Sequence, residues 1–99
     1  MKLPLTGGCL CGKIRYEITA EPVRTSNCHC RTCQRSVGAP YLAVFIVPAA
    51  AFKITGEYKE FITIANSGNA MHRMFCPDCG TSLFVINEGY PQLRPISAV

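Results

Sequence analysis

Seven cysteines in 99 residues, spaced C-x-C, C-x-C-x-x-C and C-x-x-C, constrain this chain more than any other feature. The densest stretch is Asn27-Cys28-His29-Cys30-Arg31-Thr32-Cys33-Gln34. Cys28 and Cys30 sit two apart, so an extended backbone turns both sulfurs to one side. Cys33 follows at C-x-x-C spacing, and a tight turn aims its sulfur at the same point. Three thiolates brought together in this way grip a metal ion and leave one coordination position uncommitted. Structural zinc sites take four protein ligands, whereas catalytic ones usually take three and keep the fourth for water or substrate.

The other four cysteines form two pairs. Gly7-Gly8-Cys9-Leu10-Cys11-Gly12 supplies a C-x-C, and Cys76-Pro77-Asp78-Cys79-Gly80 a C-P-x-C-G knuckle. Pro77 stiffens that knuckle, and Gly80 can take the positive φ needed to curl around a sulfur. Cys9, Cys11, Cys76 and Cys79 together make a closed four-thiolate site. Cys28, Cys30 and Cys33 make the open one, so the spacing calls for two zinc ions per chain.

So short a chain is read as one domain over residues 1–99, small enough that its core supplies modest stability and metal staples matter. Chelation is expected to destabilise it severely. The formal charge of +4 falls to +1 once seven thiolates and two Zn²⁺ are counted. The basic residues are scattered, which argues against a nucleic-acid partner. An odd cysteine count, with no signal-peptide run at the amino terminus, argues against a secreted disulfide scaffold. The longest apolar stretch, residues 39–52, contains two prolines and is too short to span a bilayer. The expected location is cytoplasmic, with no membrane partner.

Turn signals recur every eight to twelve residues, the mark of an all-β fold of short antiparallel strands. Residues 13–19 alternate, with Ile14, Tyr16 and Ile18 inward. Residues 31–37 suit about two helical turns after the C-H-C-x-x-C motif, stopped by Gly38-Ala39-Pro40. Residues 41–47 read as a strand buried on both faces, with Tyr41 and Phe45 as core. Strands are also expected over 52–55, 58–64, 70–75 and 82–86. Gly7 and Gly8 read as turn glycines that bend the chain before Cys9. The tail from Asn87 looks interrupted, with 96–99 opening a strand that nothing continues.

In order along the chain, Gly8-Cys9-Leu10-Cys11-Gly12 with Arg15-Tyr16, Cys28-His29-Cys30-Arg31-Thr32-Cys33, Gly38-Ala39-Pro40 and Phe75-Cys76-Pro77-Asp78-Cys79-Gly80-Thr81 resemble the glutathione-dependent formaldehyde-activating enzyme family. Three cysteine motifs in family order with their flanks, over roughly residues 7–86, are specific where one C-x-x-C is not. The resemblance implies an Mss4-like antiparallel β-sandwich with two zinc ions. It assigns the structural zinc to Cys9, Cys11, Cys76 and Cys79, and the catalytic zinc to Cys28, Cys30 and Cys33. The implied activity is that of a carbon–sulfur lyase joining glutathione, or a similar thiol, to formaldehyde or a related electrophile. Family members usually run on past the second knuckle, so this chain reads as C-terminally shortened, with a homodimer through an exposed sheet edge as one way to complete it.

Three thiolates leave a zinc ion with net charge −1 and a weak Lewis acid, which favours delivery of a thiolate over activation of the carbonyl. Arg31 and Arg35 are weighed as partners for substrate carboxylates, with solvated surface charge the stronger reading. His29 and His72 are weighed as a proton shuttle and an extra ligand; a structural role is the stronger reading for both. Two alternatives belong to other classes. One is a non-catalytic zinc module that binds a protein. The other is an iron–sulfur or redox centre on the same thiolates. Covalent haem is excluded, because neither C-x-x-C is followed by histidine.

Overall fold

A computed structural model describes residues 3–97. Nine strands flank one short helix: β1 (Leu5–Gly8), β2 (Arg15–Ile18), β3 (Arg24–Cys28), α1 (Arg31–Val37), β4 (Leu42–Pro48), β5 (Phe52–Thr55), β6 (Lys59–Ile64), β7 (Ala70–Phe75), β8 (Ser82–Asn87) and β9 (Leu93–Ser97). A single 3-10 turn, Ala49–Ala51, joins β4 to β5. The strands form a three-stranded sheet ordered β1-β2-β5 and a six-stranded sheet ordered β3-β4-β9-β8-β7-β6. Every pairing is antiparallel, as expected for the sandwich. Among the described residues no helix is long and apolar enough to cross a membrane.

The core lies between the sheets. Ile14, Tyr16 and Ile18 face inward as their alternation requires, and meet Val47, Met74, Leu83, Phe84 and Ile96 from the larger sheet. The continuous apolar run of β4 has a direct cause: both its faces are covered. Val47 and Phe45 pack into the inter-sheet core, while Leu42, Val44 and Ile46 pack under α1 against Cys33 and Val37.

Three expectations need correction. Gly7 and Gly8 are strand residues of β1, paired with Tyr16 and Arg15. A Cβ on Gly8 would lie 2.4 Å from the Ile14 carbonyl oxygen, so close backbone approach, not a bend, requires glycine there. Tyr41 is 44% exposed and lies outside the core. The tail is not interrupted: β9 inserts between β4 and β8, with Phe45 opposite Ile96 and Ile46 opposite Pro95. Pro95 contributes no N–H, and register with β8 is confined to Phe84 opposite Ile96. Residues 98 and 99 of that expected strand lie outside the described residues.

His72 also finds its place here. On β7 its Nδ1 lies 3.1 Å from Glu60 and its Nε2 faces Glu88. Glu88 first, then Glu60, holds its pKa above the ordinary 6.5 against the cost of desolvation. A raised folded-state pKa stabilises the protein fully below 6.5, and that contribution is lost as pH rises through the folded value. We therefore expect the denaturation midpoint to fall across this window above pH 6.5. His72→Gln should flatten that segment of the profile; an unchanged slope would remove the histidine from its cause.

Candidate metal centre

The first cysteine cluster is assembled from both ends of the chain. Cys9 follows β1 and Cys11 precedes β2, while the knuckle between β7 and β8 brings Cys76 and Cys79. All four sulfurs lie within 4.8 Å of one another. Cys9 Sγ is 3.5 Å from Cys11 Sγ, and Cys11 Sγ is 3.7 Å from Cys76 Sγ. A tetrahedral zinc ion with Zn–S of about 2.3 Å sets its sulfurs roughly 3.8 Å apart, so the four thiols are already at metal-binding separation.

Local structure enforces this arrangement. The Gly80 N–H donates to the Cys76 carbonyl at 2.8 Å, and the Cys76 N–H to the Thr81 carbonyl at 3.0 Å. Gly80 takes φ 75°, the left-handed geometry that closes such a turn. The Thr81 hydroxyl lies 3.2 Å from Cys79 Sγ and accepts from the Leu10 N–H at 3.1 Å. Thr81 thus ties one loop of the cluster to the other. Lys13 and Asp78 add an exposed ion pair at 3.0 Å across the same seam.

The electrostatics follow from crowding sulfurs together. The Thr81 hydroxyl, helped by backbone N–H groups, lowers the Cys79 pKa to about 5. Cys11 goes the other way: the backbone N–H of Lys13 favours its thiolate, but the Cys9 sulfur and desolvation prevail and push it up to about 12. One thiol gives up its proton readily, and a neighbour cannot follow without a cation. The donor set and the spacing both fit a divalent soft metal.

The second cluster joins the end of β3 to the start of α1. Cys28 closes the strand, and Cys30 is the helix N-cap in extended geometry (φ −67°, ψ 154°). Cys30 Sγ accepts the Cys33 N–H at 3.3 Å, the bond a capping oxygen usually accepts at this position. The ligand spacing and the helix start are therefore one structural event. Cys28 Sγ and Cys30 Sγ are 3.6 Å apart, and Cys33 completes a group within 4.8 Å. Among the described residues no fourth His, Cys, Asp or Glu joins this group.

These three cysteines line an open trough of about 720 Å³ between α1 and the β6–β7 hairpin. The Cys33 N–H lowers the Cys30 pKa against desolvation. Burial, then the sulfurs of Cys28 and Cys30, pushes Cys33 up to about 12. Opposing that rise is Arg73 from β7, whose Nη1 donates to Cys33 Sγ at 3.9 Å while its Nε donates to Thr63 Oγ1 at 3.1 Å.

Of the other residues singled out from sequence, Arg31 lines the trough, whereas Arg35 lines an adjoining groove. His29 is exposed at the rim with its ring 5.4 Å from that of Tyr41. His72 belongs to its two glutamates and to neither cysteine cluster. Sequence reasoning missed Arg73 and Thr81. The threonine lay within reach, directly after the knuckle. Arg73 did not, because its link to Cys33 depends on how α1 crosses the sheet.

The comparisons with known proteins agree with this geometry. A Schizosaccharomyces pombe protein described as an uncharacterized lyase is 31% identical over 78 residues, covering 79% of this chain and 54% of its own length. A Halomonas elongata protein, provisionally named a glutathione-dependent formaldehyde-activating enzyme, is 26% identical over 96 residues, covering 90% of this chain and 60% of itself. One from Phaeosphaeria nodorum with the same provisional name is 27% identical over 82 residues, at 81% and 43% coverage. The chain thus spans about half the length of the curated relatives it matches. A Rhodobacter sphaeroides protein of known crystal structure shares the fold with a TM-score of 0.69 at 16% identity, over 94% of this chain and 84% of its own. The family model described as glutathione-dependent formaldehyde-activating enzyme matches residues 4–98, and the chain belongs to that family.

Proposed function

We propose that this chain is a zinc-dependent carbon–sulfur lyase module that adds a glutathione-like thiol to formaldehyde or a related small electrophile. In this reading Cys9, Cys11, Cys76 and Cys79 hold a structural zinc, and Cys28, Cys30 and Cys33 hold the catalytic one. The carrying observation is the second cluster: three converging sulfurs at the mouth of an open trough, with no fourth protein donor among the described residues. Bound zinc would supply the positive charge that keeps a coordinated thiol deprotonated near neutral pH.

The chain's own residues then have distinct tasks. Capping of α1 by Cys30 holds the three ligands in register. Arg73 donates to Cys33 Sγ and anchors on Thr63, so the wall opposite the helix carries a fixed positive charge. The reaction itself balances simply: the thiol sulfur forms a bond to the aldehyde carbon, and the thiol proton ends on the former carbonyl oxygen.

The test is exchange NMR on glutathione and formaldehyde near neutral pH, using protein with two verified zinc ions and Cys33→Ser as control. We expect interconversion faster than the spontaneous rate with the wild type and at that baseline with the variant. No acceleration from the two-zinc protein would sink the formaldehyde assignment. A second reading, a non-catalytic zinc module for a protein partner or a second copy, draws on β6. That strand is an edge of the larger sheet, and its Phe61 and Ile64 are 65% and 68% exposed, as in strand-addition surfaces.

A further inference from the structure

The larger sheet has two edges, β3 and β6, and they differ in character. β3 runs Arg24-Thr25-Ser26-Asn27 into Cys28 and is polar throughout its length before that cysteine. Free edges are usually blunted by proline, bulges or well-placed charges. β6 has neither proline nor glycine, and its two charges, Lys59 and Glu60, sit together at one end. Its register with β7 is unbroken from Lys59 to Ile64. Phe61, Ile62 and Ile64 are 65%, 49% and 68% exposed.

Two backbone hydrogen bonds fix which way the peptide groups of β6 point. The Ala65 N–H donates to the Asn69 carbonyl at 2.9 Å, and the Glu88 N–H to the Ala70 carbonyl at 3.1 Å. Ala65 and Asn69 continue the pairing in which Ile64 opposes Ala70, so the odd-numbered residues of β6 bond to β7. The direction alternates residue by residue in an antiparallel pair. Glu60, Ile62 and Ile64 therefore turn their N–H and C=O groups outward along the open edge. Side chains divide by the same parity. Phe61 and Thr63 stand on the α1 side with Arg73, whereas Glu60 stands on the other face, where it meets His72.

We propose that β6 pairs antiparallel with β6 of a second copy about a two-fold axis at Ile62, so that one sheet crosses both protomers and the partner completes a wall of the three-cysteine site. Such a contact is isologous and closes on itself. Centring on Ile62 is the register in which every outward-facing residue of the strand meets another: Ile62 meets its own counterpart, and Glu60 meets the partner's Ile64. It also keeps the two Glu60 side chains at opposite ends. Centring on Phe61 would put them on the diagonal, where like charges repel, and would set Ile64 against Tyr58, outside the strand. Centring on Thr63 would set Glu60 against Asn66 in the turn. On the α1 side Thr63 then faces the partner's Phe61, with Cβ atoms about 4.5–5.5 Å apart. Thr63 Oγ1 accepts from Arg73 Nε, and Arg73 Nη1 donates to Cys33 Sγ, so the partner's ring closes the open flank beside the trough. The inference commits the β6 surface to one occupant and holds whichever chemistry the cysteines carry.

The test is sedimentation equilibrium on the two-zinc protein over a wide concentration range, with isotope-filtered NMR on a mixed-label sample. The wild type should show a saturable monomer–dimer equilibrium and an intermolecular contact from the Phe61 ring to the Thr63 methyl. Ile62→Lys sets like charges against each other at the axis and should leave monomer alone. Ile64 tests the register. Ile64→Lys places an ammonium opposite the partner's Glu60 twice per dimer, whereas Ile64→Glu places a carboxylate there. The lysine variant should therefore dimerise about 2–30-fold more tightly than the glutamate variant. Both positions are exposed, so the monomers should keep the wild-type circular-dichroism spectrum and zinc content. Monomer at every concentration, growth beyond the dimer, a dimer indifferent to Ile62→Lys, or equal affinities for the two Ile64 variants would overturn the pairing. A dimer with the expected responses but no accelerated formaldehyde chemistry would support the pairing and sink the lyase reading alone.

Discussion

Removing metal from the Cys9–Cys11–Cys76–Cys79 cluster, or replacing Cys76 with serine, is expected to unfold the protein. Cys76 is 1% exposed and Cys9 6%, and both belong to the inter-sheet core as well as to the cluster. The four sulfurs therefore join the β1–β2 loop to the β7–β8 knuckle at the point where the two sheets meet. Metal binding to such sites is worth roughly 10–16 kcal/mol of apparent free energy in small zinc peptides. That exceeds or matches the roughly 5–15 kcal/mol by which whole domains are stable. Without a cation the cluster also retains a Cys79 that ionises near pH 5 beside a Cys11 held up to about 12. The measurement is a circular-dichroism melt with and without a strong chelator, paired with elemental analysis of zinc. A cooperative melt at unchanged temperature after loss of both ions would refute the structural role. Cys28→Ser should cost one zinc ion per chain but leave the fold, because α1 also rests on β4 through Val37 and Leu42.

The second large effect is expected at Ile96. It is fully buried at 0% exposure in β9, between Phe45 of β4 and Phe84 of β8. Ile96→Ala removes methyl groups from the centre of the larger sheet and leaves a cavity that β4 and β8 can close only by shifting together. Such substitutions cost about 2–5 kcal/mol. For a chain of this size each kcal/mol lowers Tm by about 4–8 °C, so the melt should fall by roughly 8–40 °C. The zinc content should stay at wild-type level, which separates this outcome from the loss of a cluster. A Tm within about 5 °C of wild type would mean that β9 is not the integral strand described here.

Much of the architecture was legible before any coordinates. The helix over 31–37 follows from a stretch free of Gly and Pro that Gly38-Ala39-Pro40 stops; the structure adds the Cys30 cap and the left-handed Gly38. The strands over 52–55, 59–64, 70–75 and 82–87 fall where alternation and turn residues placed them. The tail was misread for a local reason. Tyr90-Pro91 and Arg94-Pro95 carry breaker signals, and a proline weighs against a central strand. Position in the sheet overrode that signal, because the buried side chains of β4 and β8 need Ile96 between them. Tyr41 was misread in the opposite sense: an aromatic at the head of an apolar run looks internal, yet β4 begins one residue later, at Leu42.

The sequence alone determined the local grouping of the thiols: Cys9 with Cys11, Cys28 and Cys30 with Cys33, and Cys76 with Cys79. Cysteine spacing of two or three residues is a local constraint, and backbone geometry converts it directly into converging sulfurs. The alternation of β2 likewise determined which of its side chains enter the core. Only the tertiary structure decided what surrounds those thiols. Arg73 comes within 3.9 Å of Cys33 across 40 residues of chain, and Thr81 binds the Leu10 N–H across 71. Neither pair shares a turn or a strand. Their proximity arises because α1 crosses the outer face of the larger sheet and because the knuckle closes against the β1–β2 loop, both outcomes of packing.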